Sequence, residues 1–572
     1  MIRIQEFEGM QYSRDGTPAE IQDYTYFNQQ YATSTHEEDH NMHPNLIVQP
    51  RRDEDVVKAV IWARDNKIAI AIKSGGHQYS GASSTGGSNI QIDLSNTYKD
   101  LMVINPRGPI DQDRALVYVG VSNQLKDFNA YLKHNQLFVP HGDCAYVCIG
   151  GHGQTGGYGQ LGRGFGLLGD HIRIIRMVCH DGVIRDISKE NDAELFYAIL
   201  GGSPGNFGVI SHYTVEVFQA KSYMGTFTGP NGFKGPHGIK GLWIYSPKIL
   251  KNLLTAVAEM ADNENVPQGF DLTVNVLSTE FPIAMLFPTL NNGGLWEHIQ
   301  NKIKNTLADE FLEWLNGRFP AVIVVYAQWC PTSKDDKYDE SVDQWFNKFR
   351  ALKGFFENET LVIDEFEEDM SQMTGRWIIP KRREFDLPYV KRTHCTNSKT
   401  LEKDGWVDSL IDRIDLIYNP HQLLDNNPRD KEYEVYTHCK LVMQAQCFGG
   451  ANSRFYLNKD NGTSYSWRDT SVVLTLDCFH EVGDKYREYA EKWQAKNDAI
   501  MAGPSSPFSK QDRRLLWGSY GNWDLGEQEV WKCYYEDEDK YHRLGRARAK
   551  ADPSGVFTAN PFAVSAIVQG HL

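Results

Sequence analysis

The chain has 572 residues, 41% of them hydrophobic and 23% charged, and its 74 acidic against 59 basic residues leave a formal net charge of -15. That length is too great for one hydrophobic core and predicts two domains. The acidic balance disfavours phosphate backbones and anionic headgroups, and no apolar run reaches the roughly 18 residues of a membrane helix, so neither nucleic acid nor membrane is an expected partner.

The opening MIRIQEFEGM lacks the apolar stretch of a secretory signal, which favours the cytoplasm unless a leader has been removed. Nine scattered cysteines with no CxxC pair argue against a zinc site or a dense disulfide framework, so no metal is expected. The sequons at Asn358 and Asn461 matter only in a secreted chain.

Residues 1–45 read as a polar, irregular lead-in. Val56, Val57, Val60 and Ala63 then recur at helical spacing, Asn66 closes that helix, and Ile68, Ile70 and Ile72 alternate as in a strand. This step delivers the chain into Lys73-Ser74-Gly75-Gly76-His77-Gln78. Strands are expected at 90–94, 115–121, 172–178 and 213–218, with a helix carrying Leu125, Phe128, Tyr131 and Leu132 on one face. Beyond about residue 225 the texture changes to amphipathic helices, one with Leu250, Leu253, Leu254, Val257 and Ala261, another with Ile299, Ile303, Leu307 and Phe311. Strand candidates at 322–326, 441–447 and 472–476 lie between them, which predicts a sheet with helices over one face. The charged, proline-dotted segment 380–435 reads as surface loop. A last helix around Tyr541, Leu544, Ala547 and Ala551 stops before Pro553.

Glycine lets backbone N–H groups approach an anion without a Cβ in the way, so Ser74-Gly75-Gly76 after a strand fits a pyrophosphate cradle; taken alone it is more often a tight turn. The run from Gly150 to Gly169 is half glycine, ten residues of twenty, among Tyr158, Leu161, Phe165 and Leu167. Such a mesh is too apolar for a flexible linker and suggests backbone wrapped round a large flat ligand. It is not a dinucleotide fingerprint, for no clear strand opens it.

IKSGGHQYSGASSTGG at 72–87 resembles the first flavin loop of the berberine-bridge-enzyme-like branch of the vanillyl-alcohol-oxidase superfamily, whose histidine after SGG is bonded to the 8α-methyl of FAD; the matching residue is His77. Cys144, eight residues before the His152 of Gly150-Gly151-His152, stands where the family's second loop has a cysteine bonded to flavin C6, and Gly156-Gly157-Tyr158-Gly159 continues that loop. Cys148, where glycine is usual, does not stand at that spacing. LFYAILGGSPGNFGVIS at 195–211 resembles the segment that folds against the adenine end, and KADPSGVFTANP at 550–561 resembles the family's C-terminal ending.

The resemblance covers roughly 45–218 and 510–562 and implies an α+β, two-domain architecture. A PCMH-type FAD-binding domain (1–225, core about 45–218) is followed by a substrate domain (226–505) with an antiparallel sheet covered by helices, and 506–572 returns to the first domain. It implies covalent FAD held by His77 and Cys144, contacts from Lys73, Ser74, Gly75, Gly76, Gln78, Ser83, Gly142, Val147, Gly151, His152, Gly156, Gly157, Tyr158, Gly159, Gly208, Val209 and Asn560, and hydride transfer from substrate to flavin N5. A thiol tether needs thiolate attack, so the site should lower the pKa of Cys144 or hold it against the ring.

Val147 stands where a small valine accompanies access of oxygen to the flavin, which implies an oxidase releasing hydrogen peroxide. Phe448-Gly449-Gly450 and Ser464-Tyr465-Ser466-Trp467-Arg468 resemble substrate-side segments, with Trp467 where histidine is usual. In the Tyr520-Gly-Asn-Trp523 motif the family's phenolate base is replaced by Trp523, which cannot accept a proton. Tyr520, Tyr158 or a carboxylate on the second-domain sheet are the alternatives, or a reaction that needs no strong base. The expected partners are a small-molecule substrate and molecular oxygen, and the expected state is a monomer or weak homodimer. The substrate reading is a carbohydrate or other secondary alcohol. Oxidative cyclisation of an alkaloid or terpenoid is the alternative outcome, and a flavin-bearing binding protein without turnover is the rival class.

Overall fold

The computed structural model describes residues 3–33, 35, 41–104, 111–228, 232, 235–261, 263–277, 281–282, 318–319, 321–352, 362–377, 388–397, 401, 405–418, 438–518 and 524–568. The helix expected around Ile299–Phe311, the sequon at Asn358, and Tyr520 and Trp523 lie outside them.

The first half is built on two sheets, with the helix Asp53–Asp65 packed between them. Leu46–Gln49 and Ile70–Lys73 run parallel to Ile90–Asp93, and Met10–Ser13 adds an antiparallel edge to Leu46–Gln49. The second sheet is antiparallel in the order Leu101–Ile104, Arg114–Gly120, Val209–Gln219, Ile172–Val178, Ile184–Ile187, with Leu137–Phe138 also paired to Val209–Gln219. The helix touches both Ile90–Asp93 and Ile172–Val178; of its expected stripe Val56, Val60 and Ala63 are buried, joined by Ala59, while Val57 is half-buried.

The second half is one seven-stranded antiparallel sheet. Its order is Val362–Glu367, His237–Ile244, Val322–Trp329, Phe270–Leu277, Cys439–Cys447, Val472–His480, Tyr389–Thr396. Side chains alternate across a strand. Val274, Val276, Leu441, Met443, Leu474 and Leu476 therefore share a face, and the buried stripes of helices Pro247–Met260, Trp406–Tyr418 and Asp484–Met501 join them in one core. Leu515, Leu516 and buried apolar residues from Leu525 to Val564 belong instead to the core of the first half. A third cluster, with Phe138, Leu161, Phe165 and Phe218 against Leu242, Leu277 and Val324, joins the halves.

Two expectations are corrected. The lead-in contains the strand Met10–Ser13 and the helix Pro18–Asn28, opened by Thr17 at its N-cap with Glu20 closing a capping box. Thr-Pro-x-Glu was the readable signal, outweighed by a polar composition. The segment 380–435, where described, is not surface loop. Tyr389–Thr396 is a buried strand and Trp406–Tyr418 buries Trp406, Leu410, Ile411, Ile414 and Ile417. Its charges misled because they are paired inside: Lys391 lies 2.9 Å from Asp477 and Arg392 3.1 Å from Asp498. The last helix ends at Ala551, where Pro553 requires it.

Candidate active site

A cavity of about 390 Å³ opens where three pieces of the first half meet the bare face of the large sheet. The loop from Ser74 to Tyr79 supplies one wall, parts of 142–158 a second, and Pro204, Gly205 and Gly208 a third. Its size and mixed lining are those of a cofactor or small-ligand site.

His77 and Cys144 both line this space, 67 positions apart in sequence. His77 sits with its ring edge-on to Tyr31, centroids 4.6 Å apart. Burial, with Asp143 adding to it, pushes the Cys144 thiol above its usual range; the backbone N–H groups of Tyr146 and Val147, and Lys391, act in the opposite sense. Of the two expectations for this thiol, a lowered pKa is not what the site supplies. What remains is placement in the ligand space. Ser74, Gly75, Gly76, Gln78, Ser83, Gly142, Val147, Gly151, His152, Gly157, Tyr158 and Gly208 line the same cavity. Gln78 and Tyr79 also tie the loop down, Gln78 donating to the Leu516 carbonyl at 2.9 Å and Tyr79 to that of Tyr389 at 3.1 Å.

Lys73, Gly156, Gly159, Val209 and Asn560 do not line it. Lys73 is spent on Asp93, 3.2 Å away, and on the Phe27 carbonyl. Val209 pairs with Val178 in the sheet. Gly156 packs under the Tyr158 ring, and Asn560 donates to the carbonyls of Ala82 and Ser84 at 3.0 and 3.2 Å, holding the first loop from behind. Gly159 lets the backbone pass directly over the His141 carbonyl, where a Cβ would collide. Gly159→Ala is therefore expected to lower stability by about 1–3 kcal/mol and to loosen the second wall. Thermal unfolding of the variant against the parent checks it, no shift being the contrary result.

The later glycines of the rich run serve the join between halves rather than the cavity, Gly162 under Phe448 and Gly169 under Tyr465. A side chain at Gly151 would find no protein atom within 4 Å, and at Gly205 the nearest is 4.0 Å off. Both Cβ positions would extend into room that the protein leaves free, as a cradle for a large ligand requires. FAD fits these residues.

His152 accepts from the Gly142 N–H at 3.0 Å through Nε2, and burial holds its ring down to about 3, so it is a neutral fixture of the loop. Tyr158 packs against Phe448 and Phe455, ring centroids 5.7 and 5.8 Å away, and burial drives its phenol far above its usual range. That environment favours a proton-bearing hydroxyl over an acceptor. Trp467 does not line the cavity: its indole N–H donates to the Cys533 carbonyl at 3.0 Å and Arg513 lies 4.3 Å over its ring. Trp517 does line it.

Sequence reasoning missed the polar wall opposite. Asn275, Gln444, Thr475 and Asp477 face the cavity from three neighbouring strands, with Asn275 opposite Gln444 and Gln444 opposite Thr475 in register. Lys391 pairs with Asp477 from the strand beside them. The readable signal was alternation, since Gln444 and Gln446, like Thr475 and Asp477, stand two apart with apolar residues on either side. Asp143 was also passed over. Its Oδ2 accepts from Gln444 at 2.9 Å and Gln446 at 3.3 Å. Among the described residues no group of three His, Cys, Asp or Glu could hold a metal, and no helix is long and apolar enough to cross a membrane.

Residues 44–188 match the model of a family described as FAD binding domain. Berberine bridge enzyme-like 12 of Arabidopsis thaliana is 35% identical over 175 residues, 30% of this chain and 32% of that relative, so the match spans about a third of its length. A chitooligosaccharide oxidase shares the fold at a TM-score of 0.67 and 15% identity, covering 99% of both chains. A glucooligosaccharide oxidase from Acremonium strictum, described as carrying a 6-S-cysteinyl, 8α-N1-histidyl FAD, matches at 0.67 and 15%, covering 98% of each.

Proposed function

From a chain with an FAD-binding domain and kinship to the berberine bridge enzyme-like FAD-linked oxidoreductases, we propose an FAD-dependent oxidase with the flavin attached to both His77 and Cys144. It oxidises an alcohol, a carbohydrate or other secondary alcohol, and passes the electrons to O2 with release of H2O2. One observation carries this reading: an imidazole and a thiol from separate segments share a glycine-walled cavity whose opposite wall sets Asn275, Gln444, Gln446 and Thr475 among Leu277, Val442 and Phe479.

When bound, FAD supplies a two-electron acceptor for a C–H bond. The chain's own residues do the rest. The first loop and residues 142–158 hold the cofactor, and the tail from Val556 to Asn560 braces the first loop through the Ile70–Val556 and Thr85–Ala559 hydrogen bonds, both 2.7 Å. Asn275, Gln444, Gln446 and Thr475 offer donors and acceptors for several hydroxyls, and Trp517 offers a flat apolar face for a sugar ring. These four amide and hydroxyl side chains favour a hydroxylated substrate over an alkaloid or terpenoid skeleton. Trp467, which stands where the family usually has histidine, packs away from the cavity.

A panel of oligosaccharides and simple alcohols, mixed with the purified protein under argon, tests the proposal. Loss of the flavin absorbance with an oligosaccharide, and its return with peroxide on admission of air, is expected. A panel without effect overturns the alcohol reading, and reduced enzyme indifferent to air overturns the oxidase one.

A further inference from the structure

Oxidation of an alcohol needs a group that takes the hydroxyl proton. His77 and Cys144 are assigned to the flavin, and the Nε2 of His152 is already an acceptor for Gly142. Burial drives the phenols of Tyr79 and Tyr158, which line the cavity, far above their usual range, so both carry their protons at neutral pH. Asp477 is bound through both oxygens to the Lys391 ammonium, at 2.9 and 3.2 Å, so both of its acceptor atoms are already engaged. One carboxyl lining the cavity has no cation partner among the described residues. Asp143, next to Cys144, receives the amides of Gln444 and Gln446 on Oδ2, while Oδ1, shielded from solvent, has no hydrogen-bond partner among the described residues.

We propose that Asp143 is the catalytic proton acceptor of the reaction, a reading that rests on the alcohol-oxidase function above. The substrate O–H bond breaks and its proton passes to the Asp143 carboxylate. The adjacent C–H bond breaks with its electron pair, which leaves as hydride to the flavin as oxidant, and the C–O bond becomes a carbonyl. Burial pushes Asp143 up to about 7, with Gln444 pulling the other way. A base poised there is matched to neutral working conditions. The ionisable groups about it are Cys144 on its own segment, His152 across Gly142, Tyr326 on one strand of the sheet, and the Lys391–Asp477 pair on two others.

Asp143→Asn keeps the shape and removes the acceptor. In the parent enzyme the rate of flavin bleaching by substrate should rise with pH and level off above about 7. In Asp143→Asn it should be about 10²–10³-fold slower and flat with pH, while fluorescence of the protein-bound flavin on a denaturing gel persists. Infrared difference spectra of the unreacted protein supply a reading apart from turnover, a protonated-carboxyl band that fades as pH passes about 7 and is missing in the variant. Gln444→Leu, which removes a donor to the carboxylate, should move both midpoints to higher pH and decides the matter if Asp143→Asn does not fold. Parental rate and pH profile in Asp143→Asn, or unmoved midpoints in Gln444→Leu, overturn the role and leave the oxidase reading standing. A parent enzyme that no alcohol bleaches overturns the oxidase reading itself.

Discussion

A denaturing gel of the His77→Ala, Cys144→Ala double variant is expected to show no flavin fluorescence, where the parent band glows and each single variant keeps part of the signal. Flavin without a covalent bond to the chain is lost on denaturation, so the gel reads the tethers directly. His77 comes from a loop after a parallel strand and Cys144 from the segment that leads into the helix Ile149–Gln154. Their independent placement in one cavity is why either bond alone should survive loss of the other. The thiol raised by burial adds a pH dependence with a definite sign. Thiolate is the attacking form, so its fraction, and with it tethering at Cys144 in His77→Ala, should grow as pH rises. A fluorescent double variant, or a His77→Ala variant whose Cys144 reacts at no pH, sinks the two-tether account.

The largest stability loss is expected from breaking the buried pair Asp170–Arg468. Asp170 closes the glycine-rich run and Arg468 ends the segment Ser464–Arg468. Their side chains are 1% and 4% exposed, and Arg468 contacts Asp170 at 2.5 and 3.1 Å. Asn458, Asn461 and the Leu167 N–H complete the carboxylate's partners at 2.8 to 2.9 Å. Burial alone would raise the Asp170 pKa; Arg468 and these hydrogen bonds outweigh it and hold the carboxyl below its usual range. Removing the cation in Arg468→Met strands a buried charge, at a cost of about 3–5 kcal/mol in chemical denaturation at neutral pH. A group with a folded-state pKa below its unfolded value contributes stability above the unfolded value and loses it as pH falls through the folded one. The deficit of Asp170→Asn should accordingly shrink on acidification below about 4, the unfolded carboxyl's pKa. An unchanged unfolding midpoint in either variant contradicts this account.

What could be read without coordinates was local. The SGG loop after an alternating strand, the cysteine eight residues before Gly150-Gly151-His152, and the glycine density of 150–169 are short-range patterns, because backbone approach to a ligand is written in residues that lack a Cβ. The helix Asp53–Asp65 and the strands at 172–178, 441–447 and 472–476 were legible for a similar reason, since burial of one face imposes a period on neighbouring positions. Tertiary structure alone decided which polar residues meet. Lys391 and Arg392 give 380–435 the texture of a loop, but Asp477 and Asp498 neutralise them from elements 86 and 106 positions later. Asp143 belongs to no motif, and its environment is set by Gln444 and Gln446, three hundred positions away. Charge pairing and desolvation depend on distance in space, and no local period in the chain records them.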